Sequence, residues 1–203
     1  MTPTVWRTSM RLHHAVLIAL LGATAACTPG FVEDNESNVL LRIVEVLTQA
    51  TGATTEDASF LLSDVRFEGS VFNDNATLTV ANIPKNPNPN LLQGDFNDVI
   101  IERYEVSYFR TDGHNTEGVD VPFRFSGAAS GRIPANAEGE VAVILVRHQA
   151  KVEPPLRLLV GLGGEQILTM FAEVTIHGRT INERAVTAST RIPITFADFA
   201  DEQ

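Results

Sequence analysis

Chemistry in a protein needs side chains that hold protons, metals or electron pairs at close quarters, and this 203-residue chain offers few. Of its five histidines, His13 and His14 fall in an N-terminal segment with the marks of a targeting signal, which leaves His114, His148 and His177. His114 sits in a polar turn, His148 closes an apolar run, and His177 takes an outward position in an alternating segment, so each reads as a surface residue. No serine stands in a G-x-S-x-G setting, no H-E-x-x-H or Cys/His cluster is spaced for zinc, and no glycine loop resembles a phosphate cradle. The sequence therefore predicts no catalytic set, no metal site and no cofactor.

Two acidic loops, Asp95-Phe96-Asn97-Asp98 and the turn carrying Asp112, Asn115, Glu117 and Asp120, hold the oxygen donors that calcium takes. Neither has the spacing of a calcium loop, and Asx-rich turns serve hairpin geometry in their own right. The stretch Arg147-His148-Gln149-Ala150-Lys151, followed by Pro154-Pro155, concentrates positive charge in an acidic chain. Loops on a rigid scaffold are the usual place for binding residues, which makes Arg147, His148 and Lys151 the candidate binding loop; the alternative is a solvated strand exit.

Fifteen Lys and Arg stand against 25 Asp and Glu, a net charge of −10. The bases are scattered singly, whereas nucleic acid demands a basic face that neutralises several phosphates at once, so nucleic acid is excluded as a partner. Arg7 and Arg11 precede the first acid, Glu33. Removal of residues 1–26 leaves 13 bases against 25 acids, a charge of −12 that favours solubility and repels anionic lipid.

The N-terminus has the three-part plan of a secretory signal: a basic stretch with Arg7 and Arg11, the apolar run Ala15-Val16-Leu17-Ile18-Ala19-Leu20-Leu21, and the small residues from Gly22 to Ala26. The run is shorter than the roughly 20 apolar residues that a bilayer span requires. The single cysteine of the chain, Cys27, follows directly, and Leu20-Leu21-Gly22-Ala23-Thr24-Ala25-Ala26-Cys27 resembles the processing site of a bacterial lipoprotein precursor. That resemblance covers about the first 30 residues and implies cleavage before Cys27, diacylation of its thiol and acylation of the new α-amino group. Ala23-Thr24-Ala25 also fits an ordinary A-x-A signal cleavage, which would release a soluble chain with a free thiol. Two or more acyl chains give stable attachment where one is marginal. Thr28, in place of an Asp-type inner-membrane retention signal, points by the same resemblance to the outer membrane.

Residues 28–38 are polar and turn-rich, as a tether requires. From Val39 onward short β-rich runs alternate with Gly, Pro, Asn and Asp clusters. Leu168 to His177 has strict period 2, with Leu168, Met170, Ala172, Val174 and Ile176 on one face. Ile100 to Arg110 places Ile100, Tyr104, Val106 and Tyr108 together, with Glu102 out of step. Ala185 to Phe196 alternates too, and Pro193 predicts an edge strand there. Val141 to Val146, apolar on both faces, predicts a central strand. Thr77 to Ile83 and Leu61 to Phe67 read as strands, Val121 to Phe125 as a short edge strand, and Lys151 to Gly164 as a long connection. Residues 39–47 fit either a strand or a helical stripe, and their β-branched content favours the strand.

The sequence thus predicts a signal peptide (1–26), a lipidated cysteine and tether (27–38), and one all-β domain (39–203): an immunoglobulin-like antiparallel sandwich of seven or eight strands. Glu102 to Tyr108 resembles the third strand of a fibronectin type III or immunoglobulin-like domain, although the core disulfide and buried Trp of a true immunoglobulin domain have no counterpart. The functional expectation is a non-catalytic structural or protein-interaction module on the bacterial envelope, its partners the membrane and another envelope protein. The alternative is a carbohydrate-binding module or an accessory domain of an envelope enzyme, which exposed tyrosines would favour.

Overall fold

The computed structural model describes residues 37–49, 59–85 and 95–199, so the signal, Cys27 and residues 28–36 of the tether lie outside the described residues. By compactness the chain divides into Met1–Glu36 and Ser37–Gln203, and every described residue belongs to the second unit.

Eight strands build it: β1 (Val39–Gln49), β2 (Leu61–Asp64), β3 (Asp74–Pro84), β4 (Val99–Phe109), β5 (Phe125–Ile133), β6 (Glu138–Val146), β7 (Leu168–Thr180) and β8 (Ala185–Ala197). They form a three-stranded sheet, β1-β3-β6, and a five-stranded sheet, β2-β8-β7-β4-β5. With β2 as an extra strand A′ and β5, which pairs with β4 in the larger sheet, as C′, these are A-B-E against A′-G-F-C-C′, an immunoglobulin-like strand distribution without a strand D. All pairs are antiparallel except β2 with β8, which is parallel. The core lies between the sheets, built from period-2 positions such as Leu78 and Val80 of β3, Val106 of β4, Val174 and Ile176 of β7, and Ile192, Ile194 and Phe196 of β8. Residues 39–47 are strand, as their β-branched content suggests.

Three local expectations are corrected. Ile100 does not share the buried face with Tyr104: it is exposed, while Val99 and Ile101 are buried, because a bulge between Ile101 and Arg103 shifts the strand by one residue. That extra residue is also why Glu102 falls out of step. The Val141–Val146 run is not central; β6 is the edge of the smaller sheet, and Ala142 is exposed. Conversely, β8 has neighbours on both sides, but β2 reaches it only at residues 194–197. Pro193 stands just before that pairing starts, so its missing N–H costs no bond to β2.

Strands β1, β4, β6 and β8 run from a near end, where β1 begins, to a far end, and β3, β5 and β7 return. At the near end Lys85 N–H donates to Asn38 O, Asn82 Nδ2 donates to Asn97 O and Ile133 O, and Ile181 N–H donates to Asp98 O. These bonds draw the ends of both sheets together.

Candidate functional site

The candidate loop lies at the far end, where β6 leads through Arg147 into a single helical turn, α1 (His148–Lys151). The structure sends its three basic residues to three environments. His148 is exposed, its backbone N–H donating to Asn73 Oδ1 at 2.6 Å and its ring Nδ1 3.1 Å from the same atom. Arg147 is half-buried, with its guanidinium carbon 4.4 Å above the centre of the Phe125 ring. Lys151 turns inward and is 1% exposed.

Lys151 enters a cluster made by three elements. Its Nζ donates to Asp74 at the start of β3, at 3.0 Å from Oδ1 and 2.9 Å from Oδ2, and to the carbonyl of Asp64 at 2.7 Å. Ser63 Oγ, on the inward face of β2 between Leu61 and Val65, donates to Asp74 Oδ2 at 2.6 Å. A buried charge is tolerated only when paired and hydrogen-bonded, and here the carboxylate takes two donors while the ammonium reaches a carboxylate and a carbonyl. Ser, Asp and Lys are catalytic residue types, but here Ser63 and Asp74 are 0% exposed and Lys151 1%. The arrangement ties β2, β3 and α1 together. Neither Ser63 nor Asp74 was singled out from the sequence; the available signal was a serine on an otherwise apolar strand face.

A second buried polar set crosses between the sheets. Tyr108 O–H donates to Leu145 O at 2.6 Å, and Ile144 N–H donates to Tyr104 Oη at 3.1 Å. Leu145 is the extra residue of a bulge opposite Asp74 and Asn75, so these hydroxyls satisfy backbone groups on an edge strand. Both tyrosines are buried, and burial pushes the Tyr108 phenol above its ordinary range. Neither offers the exposed platform on which a sugar would stack.

On the outer face of the larger sheet an open depression of about 520 Å³ is lined by Glu105, Ser107, Arg124, Phe125, Glu173 and Thr175 among others. Its charges are paired within the fold. Arg103 hydrogen-bonds Glu105 and, with help from His177 and Arg124, holds that carboxyl below its usual range. Arg191 Nε donates to Glu173 at 3.0 Å, and its guanidinium lies 4.9 Å from the Phe109 ring, itself stacked on Phe171 at 5.4 Å. His177 Nε2 stands 3.7 Å from Glu105 Oε1, beyond hydrogen-bond reach.

The acidic loops spend their oxygens on their own backbone and on arginines. Asp98, nearly buried, accepts from Arg132 Nε at 2.7 Å and Ala135 N–H at 2.8 Å. Asp112 accepts from His114 N–H and is paired with Arg110, which together lower its pKa. Asn115 Oδ1 takes Arg110 N–H, Glu117 takes Arg124 Nε, and Asp120 takes Thr116 N–H. Among the described residues no three His, Cys, Asp or Glu side chains gather as a metal would require, and no helix is long and apolar enough to cross a membrane. The histidines occupy the 110–124 loop, α1 and mid-β7, three separate elements.

No family model and no curated protein matches the sequence. Among solved structures, the chain is similar to Northeast Structural Genomics Consortium target SoR45, with 11% identity and a TM-score of 0.39, over 80% of this chain and 88% of that one. It is also similar to the ASH/PapD-like domain of human CEP192 (PapD-like domain 7), with 9% identity and a TM-score of 0.31, over 83% of this chain and 89% of that one.

Proposed function

We propose that the mature protein is a lipid-anchored domain of the bacterial cell envelope, a non-catalytic structural or protein-interaction module held at the outer membrane through Cys27. The observation that carries this reading is the N-terminal order: Arg7 and Arg11, a seven-residue apolar run, small residues, and then the one cysteine of the chain. Acyl chains on that cysteine make membrane attachment stable without a spanning segment.

The non-catalytic part is supported by where the reactive types lie. The Ser63–Asp74–Lys151 cluster is sealed in the core, and the three described histidines sit on separate elements. Burial of both Tyr104 and Tyr108 weighs against the carbohydrate-binding alternative. The test is fractionation of cells expressing the full chain or Cys27→Ser. The wild-type protein is expected in the membrane fraction, with the variant released or left as uncleaved precursor. Identical partitioning of the two would overturn the reading. Capture from the native envelope through a tag after Gln203 then identifies the partner.

A further inference from the structure

We infer that the near end of the sandwich is seated on the bilayer, with Phe96 and Ile181 dipping into the headgroup region. This rests on the lipid-anchor reading and adds to it an oriented contact between the folded domain and a lipid surface.

The near end presents apolar side chains that the fold leaves uncovered. Phe96 is 64% exposed and Ile181 42%, with Leu40, Ile83 and Ile100 around them at 51%, 37% and 41%. These residues gather at the near ends of the two sheets. Leu40 and Ile83 are cross-strand partners, Phe96 lies in the turn whose Asn97 carbonyl accepts from Asn82, and Ile181 N–H is bonded to Asp98 O. Ile100 follows two residues later, turned outward by the bulge in β4. Of the acids among them, Asp98 is paired with Arg132 and Glu102 and Glu183 with Arg179, while Asp95 beside Phe96 and Glu138 at the start of β6 stand exposed. Side chains of this kind at an interface gain by burial a few ångströms into the headgroup layer.

The length of the preceding chain selects the membrane as the surface that meets this end. The described fold begins at Ser37, and the ten residues Cys27 to Glu36 stretch at most about 36 Å when fully extended. Strands of 11–13 residues make the sandwich about as long again. The far end is apolar too, with Leu158 and Ile167 exposed at 64% each and Phe72, Val119, Phe123 and Val152 also exposed, but it lies a full strand length further from the anchor. An acyl group on Cys27 therefore leaves the near end within reach of the bilayer at any tether extension, whereas the far end reaches it only with the tether almost fully extended.

The test uses the mature, membrane-extracted protein in phosphatidylcholine vesicles whose acyl chains carry bromine, a contact quencher of indole. The one tryptophan, Trp6, leaves with the signal, so Phe96→Trp and Leu158→Trp each introduce a single reporter on an exposed site. Phe96→Trp is expected to lose at least about half its emission and shift to the blue, while Leu158→Trp is unchanged. Ile181→Trp replaces the first reporter if Phe96→Trp does not fold. An unquenched near-end tryptophan in protein whose mass shows acylated Cys27 would overturn this inference and leave the anchor standing, as would equal quenching at both ends. An unacylated mass would overturn the anchor reading and this inference with it.

Discussion

At the scale of single residues the most consequential contact is the one least visible in the sequence. Lys151 was predicted on a loop among other bases, and the five-residue pattern carries no hint that its stem would turn into the core while His148 stays outside. What decides it is a partner 77 positions earlier, Asp74, at a strand start where both charges can be desolvated together. Removing one member of such a pair strands the other, so Lys151→Met alone should cost about 3–5 kcal/mol in urea denaturation. The triple change Lys151→Met, Asp74→Leu, Ser63→Ala removes every charge and should recover most of that loss. Additive losses would show that the cluster is not an ion-pair unit. Tyr108 supplies a pH test. Its folded pKa lies above the ordinary tyrosine value of about 10, so its contribution is complete below pH 10 and falls as pH rises further, by about 1.4 kcal/mol per unit. The Tyr108→Phe variant should lose about 1 kcal/mol at neutral pH, for its bond to Leu145, and show a shallower alkaline decline than wild type. Parallel declines would contradict this.

Among the strands, legibility followed periodicity. In β7 and β8 apolar and polar residues alternate with a break at Thr190, and the structure buries the apolar residues so marked except Leu168, which is half-buried at the start of β7. In β4 a bulge resets the alternation, and no pattern of side chains announces an inserted backbone residue. The strand β5, Phe-Ser-Gly-Ala-Ala-Ser-Gly-Arg-Ile, was missed except at its first residue because small residues carry little strand preference. Gly127 shows why smallness matters there: a Cβ at that position would run into the Tyr104 ring that crosses beneath it. The change Gly127→Val should therefore destabilise by a few kcal/mol, read by thermal melt, through displacement of Tyr104 and its bond to Ile144. The edge position of β6 was misread from its apolar run, since burial by loops and tyrosines looks in sequence like burial by neighbouring strands. A sharper element-scale test lies in β7, where Val174 is 0% exposed and Thr175 faces outward, its hydroxyl 2.8 Å from that of Ser189. The Val174→Asp variant should lose several kcal/mol, and Thr175→Asp about half a kcal/mol. Equal losses would contradict the two-layer packing.

For the whole molecule, the proposed function rests on the first 30 residues, whose composition and spacing resemble a lipoprotein signal. Among the described residues, Ser63, Asp74 and Lys151 are buried together, and His114, His148 and His177 lie on three separate elements. Replacing His114, His148 and His177 together by alanine should leave the thermal melt and envelope partner capture largely unchanged. Loss of an envelope-substrate turnover in that variant would reveal a catalytic site. In the proposed function this sandwich is displayed from a membrane by a lipid on Cys27. Intact mass of the wild-type chain isolated from the membrane fraction tests it most directly. The expected species is a polypeptide that begins at Cys27 and carries the added mass of its acyl groups; an unmodified chain beginning at Ala26, recovered from the soluble fraction, would overturn the lipid anchor.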